Sequence, residues 1–187
     1  MSLHIYLGPM FAGKSSMILR IVNRYKSINK NVFLVSNSID NRYSKDQYII
    51  NHDLLKLPCE RRASLMDFTK DDNFIQSQII LVDESQFFPD LLEFVTLATD
   101  ILGKEVYLFG LDGDTERKPF GQLLQCIPLA DDVVKLKAFC KLCCDGTEAL
   151  FTFCEMKKTE QVCVGGAETY MPLCRKHYCE LTARKGL

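Results

Sequence analysis

The sequence predicts an α/β fold: a mostly parallel sheet carrying a phosphate-binding loop, with a small cysteine-rich lobe after it. Three observations predict this. A Gly-x-x-x-x-Gly-Lys-Ser pattern follows a short apolar run, apolar runs alternate with helical patterns up to about Ala138, and cysteines crowd the rest of the chain. Strands alternating with helices form a sheet covered on both faces. Ligands of such sheets sit beyond the carboxyl ends of the strands.

The first element is "LHIYL", Leu3–Leu7, a short β-rich run. The loop "GPMFAGKS" follows, comprising Gly8, Pro9, Met10, Phe11, Ala12, Gly13, Lys14 and Ser15. Its glycines let successive backbone N–H groups turn into one concavity. Lys14 supplies a positive charge for the outer phosphates, and the Ser15 hydroxyl suits Mg²⁺. A helix over Ser15–Ile28 then aims its N-terminal dipole at the anion. Met17, Ile18, Ile21, Val22, Tyr25 and Ile28 recur at helical spacing along it. Strand, loop and helix thus come in the order the motif requires.

Further strands are predicted at Asn31–Ser36, Ile79–Val82, Val106–Phe109 and Val133–Ala138. A second helix covers "FPDLLEFVTLATDIL", with Pro89 in its first turn and Leu91, Leu92, Val95, Ala98 and Leu102 facing inward. The apolar run "QIILV" ends in Asp83-Glu84, where an acid of a phosphate-loop enzyme holds Mg²⁺ and a second acid can act as a base. Between the second and third strands, "SNSIDNRY" offers Asp40 for a metal-bound water and Arg42 for phosphate oxygens, although a solvated turn reads equally well.

"FCKLCCD" and "PLCRKHYC" each offer two close ligands, Cys140 with Cys143 and Cys174 with His177. Two such pairs make a tetrahedral Zn²⁺ site. Cys179 in place of His177 is the runner-up, and Cys144 is a near competitor. The enclosed strip "QVCVGGAETY" carries Gly165-Gly166 and Tyr170. It reads as a flap over a ligand or as a plain hairpin with a glycine turn. The texture changes near Lys137, which divides the chain into a nucleotide-binding part, 1–138, and a zinc-binding part, 139–187.

Composition narrows the classes. A net charge of −1 gives no global field toward nucleic acid or membrane. No run is long and apolar enough to span a bilayer. The N-terminus lacks a charged-then-apolar signal pattern. An odd count of nine cysteines beside a nucleotide motif points to a reducing compartment, the cytosol, with metal binding as their use.

Taken together, "GPMFAGKSS", "DNRY", "DESQFFPD", "LDGDTERKPFG", "CKLC" and "GGAETY" with "CRKHY" resemble the type II, cytosolic and viral-type, thymidine kinases, in order and approximate spacing along nearly the whole chain. The resemblance implies a RecA-like domain, a small zinc-containing lobe with a lasso loop, and a homotetramer. It implies transfer of the γ-phosphoryl group of ATP to the 5′-OH of thymidine, giving dTMP in pyrimidine deoxynucleotide salvage. Glu84 matches the family's general base. Gly8 to Ser15, Asp40, Arg42, Asp83 and Gln86 match positions around ATP and Mg²⁺. Met10, Phe87, Leu111, Thr115, Tyr170 and the strip Gln161, Val162, Cys163, Val164 and Gly165 match positions around the nucleoside. Arg117 and Lys118 match as structural or phosphate-proximal residues.

Three positions depart from the family pattern. Thr115 stands where the family has a stacking phenylalanine, Cys154 where it has an arginine (a role Lys157 or Lys158 would take over), and Ser85 where it has glycine. The Thr115 change leaves a kinase of another deoxynucleoside as one alternative. A phosphate-loop NTPase switch is another, without the guanine-reading Asn-Lys-x-Asp motif. A zinc-ribbon nucleic-acid binder is the third, weakened by the charge balance.

Overall fold

The computed structural model describes residues 1–38, 48–50, 56–155 and 169–184. Six strands form the central sheet: β1 (Ser2–Leu7), β2 (Val32–Asn37), β5 (Glu60–Arg62), β6 (Ile79–Asp83), β7 (Glu105–Gly110) and β8 (Asp132–Lys135). Their spatial order is β5-β2-β6-β7-β1-β8, and every neighbouring pair is parallel. The run Ile79–Asp83 is buried at every position. That pattern belongs to a central parallel strand with both faces covered.

On one face lies α1 (Lys14–Lys26), which buries Ile18, Ile21 and Val22 against Leu34, Leu81 and Phe109. The other face carries α2 (Asp72–Gln76) and α3 (Leu91–Thr96), with Phe33, Phe68, Phe74 and Phe94 meeting edge-on or tilted. Each fully buried phenylalanine contributes about 1.5–3 kcal/mol. The Lys104 ammonium is also buried, donating to the carbonyls of Phe74, Ile75 and Ser77. It thereby satisfies acceptors left open where α2 ends.

Outside the sheet, the described residues form three antiparallel strand pairs. These are β3 (Tyr48–Ile50) with β4 (Lys56–Pro58), β9 (Ala138–Phe139) with β10 (Glu148–Ala149), and β11 (Phe151–Cys154) with β12 (Tyr170–Leu173). The last two pairs and α4 (Arg175–Arg184) gather a third cluster of Ala138, Cys140, Ala149, Phe153, Leu173, Cys174 and Tyr178.

Several sequence expectations shift. The run Val133–Ala138 is not one strand: β8 stops at Lys135, and Ala138 starts the hairpin of the cysteine-rich part. Pro89 precedes α3 instead of sitting in its first turn. Asp90 occupies the N-cap position. Leu102 is 44% exposed, because the helix passes into a π turn at Leu97–Ile101 that rotates the following residues off the inward face. Ile28 is exposed because α1 ends at Lys26. Short runs such as β3, β4, β5 and α2 carry too few periods to be read from pattern.

Candidate active site

Parallel pairing of β6, β7 and β1 brings their carboxyl ends side by side. Gly8 leaves β1 with φ 151 and donates to the Gly110 carbonyl at 3.2 Å. A Cβ at Gly8 would lie 2.3 Å from the Leu136 carbonyl oxygen, so only glycine fits. Phe11 and Gly13 both have positive φ, 67 and 80, and α1 begins directly after Gly13. The loop is tied on its far side, where the Met10 N–H donates to Thr152 Oγ1 at 3.0 Å. Phe11 and Ala12 pack against the cluster of the cysteine-rich part. Lys14 is buried, its ammonium donating to the carbonyls of Gly8 at 3.1 Å and Pro9 at 2.8 Å. Ser15 is half-buried in the first turn of α1.

Two strands away, Asp83 ends β6 and is buried. Glu84 follows with φ 49 and ψ 44, a left-handed conformation that is costly for a residue with a side chain. The next residues close a tight turn in which Phe87 N–H donates to Glu84 O at 3.1 Å. The Glu84 carboxylate accepts from Gln86 Nε2 at 2.6 Å, while Gln86 Oε1 accepts from Leu111 N–H at 3.0 Å. Both ends of the Gln86 amide are thus engaged, and its side chain orients Glu84. A Cβ at Gly121 (φ 59) would lie 2.0 Å from the Gln86 carbonyl oxygen. Ser85 is wholly buried, and its hydroxyl donates to Phe109 O at 2.9 Å. That bond gives the departure from glycine a structural purpose.

Two polar side chains were missed by sequence reading. Asn37, buried at the end of β2, donates to the Phe87 carbonyl at 3.2 Å and braces the same turn. The buried Ser36 hydroxyl, in register with Asp83, finds no hydrogen-bond partner among the described residues. An asparagine at a strand end was the available signal for Asn37. Ser36 carries none.

Of the residues expected around the nucleoside, Phe87 lies in this turn and Leu111 bonds to its Gln86. Phe87 meets Phe120 edge-on at 5.4 Å between ring centres. Leu111 and Thr115 are half-buried in the Leu111–Phe120 loop, where Asp114 Oδ1 accepts from the N–H groups of Glu116 and Lys118 at 2.9 Å. Arg117 (φ 65) lies over the rings of Tyr178 and Phe151, at 4.8 and 5.6 Å. Lys118 is exposed and pairs with Glu116 at 2.6 Å. Tyr170 is buried on β12, paired in register with the buried Cys154. Asp40, Arg42, Gln161, Val162, Cys163, Val164 and Gly165 lie outside the described residues, as do Lys157, Lys158 and Gly166.

Cys140, Cys143, Cys174 and His177 converge, with their ligand atoms all within 4.8 Å of one another. His177 Nδ1 lies 3.4, 3.3 and 3.5 Å from the sulfurs of Cys140, Cys143 and Cys174. The Cys143 and Cys174 sulfurs are 3.8 Å apart. Tetrahedral zinc with Zn–S bonds of about 2.3 Å sets sulfurs about 3.8 Å apart, so the donor set fits. Burial works against ionising Cys140, but N–H groups of Cys174, Cys143 and Leu142, with the His177 ring, bring its thiol down to about 6. Burial, together with the Cys140 side chain, pushes Cys143 up to about 11. Cys144 and Cys179 are exposed and outside this cluster.

The family model described as "Thymidine kinase" matches residues 1–178. The chain is 42% identical over 180 residues to "Thymidine kinase a" of Arabidopsis thaliana, covering 95% of this chain and 74% of that protein. It is 42% identical over 182 residues to "Thymidine kinase" of Oryza sativa subsp. japonica, covering 95% of this chain and 66% of that one. A "Thymidine kinase" of Choristoneura fumiferana entomopoxvirus is 36% identical over 190 residues, covering 96% of this chain and 97% of the viral protein. With a phosphate loop and a strand-end pair of acids on one parallel sheet, and a cysteine–histidine cluster outside it, the chain belongs to the thymidine kinase family.

Proposed function

We propose that this enzyme transfers the γ-phosphoryl group of ATP to the 5′-hydroxyl of thymidine, forming dTMP and ADP. The observation that carries the reading is the Glu84 carboxylate, held by Gln86 in a turn at the same carboxyl end of the sheet as the phosphate loop, two strands from it. The loop N–H groups grip the triphosphate, and Lys14 exchanges its two carbonyl partners for phosphate oxygens. Glu84 accepts the proton of the 5′-hydroxyl as that oxygen bonds to the γ-phosphorus and the bond to the β-bridging oxygen breaks. Alignment and charge neutralisation supply most of the acceleration.

The kinase family implies ATP and Mg²⁺. The oxygen donors of Ser15 and Asp83 suit Mg²⁺, and the unpartnered Ser36 hydroxyl beside Asp83 suits a water of its shell. Bound Mg²⁺ would neutralise charge on the phosphates. Cys140, Cys143, Cys174 and His177 would hold a structural Zn²⁺. Residues 1–138 act as the nucleotide-binding part and 139–187 as the zinc-anchored lobe. Gln161 to Gly165 read the thymine edge by main-chain groups, with Tyr170, Phe87, Met10, Leu111 and Thr115 around the nucleoside, and Asp40 and Arg42 near the phosphates. A homotetramer in the cytoplasm is the assembly and location we infer. Among the described residues no helix is long and apolar enough to cross a membrane.

Phosphorylation of another deoxynucleoside and nucleotide switching are less favoured, since the family and relatives are named for thymidine kinase. ATP turnover with a panel of deoxynucleosides tests the proposal. Turnover is expected to rise with thymidine and to yield dTMP. Hydrolysis indifferent to every nucleoside would overturn it.

A further inference from the structure

The Leu111–Phe120 loop is held at both ends and at its tip, besides an ion pair of Asp112 with Lys135 at 2.6 Å. At one end Leu111 N–H donates to Gln86, which also holds the Glu84 carboxylate. At the other end Phe120 is buried and meets Phe87 edge-on. Its tip is pinned from a different part of the molecule: the Tyr178 hydroxyl donates to the Thr115 carbonyl at 2.7 Å. The Arg117 guanidinium lies 4.8 Å from the centre of the same Tyr178 ring.

Tyr178 is 2% exposed and directly follows His177 on α4. Its N–H donates to Cys174 O at 3.0 Å, and its ring packs against Phe151 at 5.1 Å and Phe153 at 6.1 Å. One residue thus belongs to the turn that presents two metal-ligand candidates, to the centre of the lobe's apolar cluster, and to the loop bearing Thr115. Arg117 has φ 65, an unfavourable conformation for arginine that the loop keeps while its cation faces two aromatic rings.

We propose that Tyr178 and Arg117 are positioning residues that clamp the Thr115 loop to the cysteine–histidine lobe, so that this lobe sets nucleoside affinity through the loop. The proposal rests on the reading of Leu111 and Thr115 as nucleoside-facing. It gives α4 a task apart from holding metal: the hydroxyl of Tyr178 fixes the loop backbone, and the loop places the Thr115 side of the pocket over the turn that carries Glu84.

The test uses zinc-loaded full chain. Tyr178→Phe keeps the ring in the cluster and removes only the hydroxyl. Arg117→Gln removes the cation from the loop side, away from the ligand cluster. Each variant is measured for zinc content, KM for ATP, KM and kcat for thymidine, and thymidine affinity by calorimetry. The expected result is full zinc content, an unchanged KM for ATP, kcat within about twofold, and a thymidine KM and Kd raised about fivefold, the scale of one neutral hydrogen bond. An unchanged thymidine Kd in variants with full zinc would overturn the clamp. If Tyr178→Phe fails to fold or loses zinc, Arg117→Gln decides by the same readings. A separate arm tests the underlying reading: Thr115→Phe should change thymidine Kd by severalfold. If it does not, the pocket assignment fails, whatever Tyr178 does.

Discussion

The two candidate sites of this molecule are built in opposite ways. The phosphate end rests on a wholly parallel sheet with large apolar clusters on both faces, and its functional groups are fixed by close backbone approach and buried hydrogen bonds. Among the described residues, the cysteine–histidine lobe has two short antiparallel strand pairs, one helix and a small cluster in which two of the candidate metal ligands are themselves members. A region with so little apolar core leans on metal coordination for its order. The phosphate end should therefore keep its geometry when zinc is lost, while the lobe should not.

The largest expected effect breaks the comparison on the sheet side. Glu84→Gln should lower kcat by on the order of 10²-fold or more, with ATP affinity and zinc content intact. Steady-state kinetics with nucleotide titration checks this. Full activity in that variant would remove Glu84 from the base role.

Next comes the lobe side. Removal of zinc by a strong chelator should weaken thymidine binding about tenfold or more and ATP binding less than about twofold, as the lobe loosens. Parallel calorimetric titrations of both ligands, with readdition of zinc, measure the difference. Equal loss for both ligands would mean that the two regions fold as one unit.

Gln86→Leu sharpens the comparison at the shared boundary. It removes the donor to Glu84 and the acceptor for Leu111 N–H. A drop of about tenfold in kcat is expected, on the scale of one hydrogen bond to a charged group. The thermal midpoint should fall little. A lowered midpoint with an unchanged kcat would make Gln86 merely structural.

The smallest effect lies at the N-cap position of α3. Asp90 accepts from Ser64 Oγ at 2.6 Å and from the N–H groups of Leu65 and Met66 at 3.1 and 2.8 Å. Burial alone would raise its pKa, but these bonds outweigh burial and hold the carboxyl below its usual 3.8. A depressed folded value means the stabilisation is present above the unfolded pKa and is lost as pH falls through the folded one. Asp90→Ala should cost about 1 kcal/mol near neutral pH. The gap from wild type should close below about pH 4, read from denaturant melts across pH.

How much of this was legible in the sequence follows the same divide. The loop Gly8–Ser15 and the acids Asp83-Glu84 stand next to strong apolar periods, so local pattern located them. The ligand cluster was legible because Cys140 with Cys143 and Cys174 with His177 are tight pairs of one spacing, which favoured His177 over Cys179, and these four converge. The insertion of β7 between β6 and β1 was not legible, since strand order depends on long-range pairing. For the same reason the bonds of the Gln86 amide to Glu84 and to Leu111 were not legible. Asn37 and Tyr178 act through partners 50 and 63 residues away, a reach that no local period encodes.

The central claim is that the Gly8–Ser15 loop and the Glu84 turn form one site for donor and acceptor. A crystal structure of the zinc-loaded protein with thymidine, Mg²⁺ and a non-hydrolysable ATP analogue tests it most directly. The account predicts the triphosphate tail in the loop and the 5′-hydroxyl within hydrogen-bond reach of the Glu84 carboxylate. A 5′-hydroxyl far from Glu84, or a loop without phosphate, would contradict it.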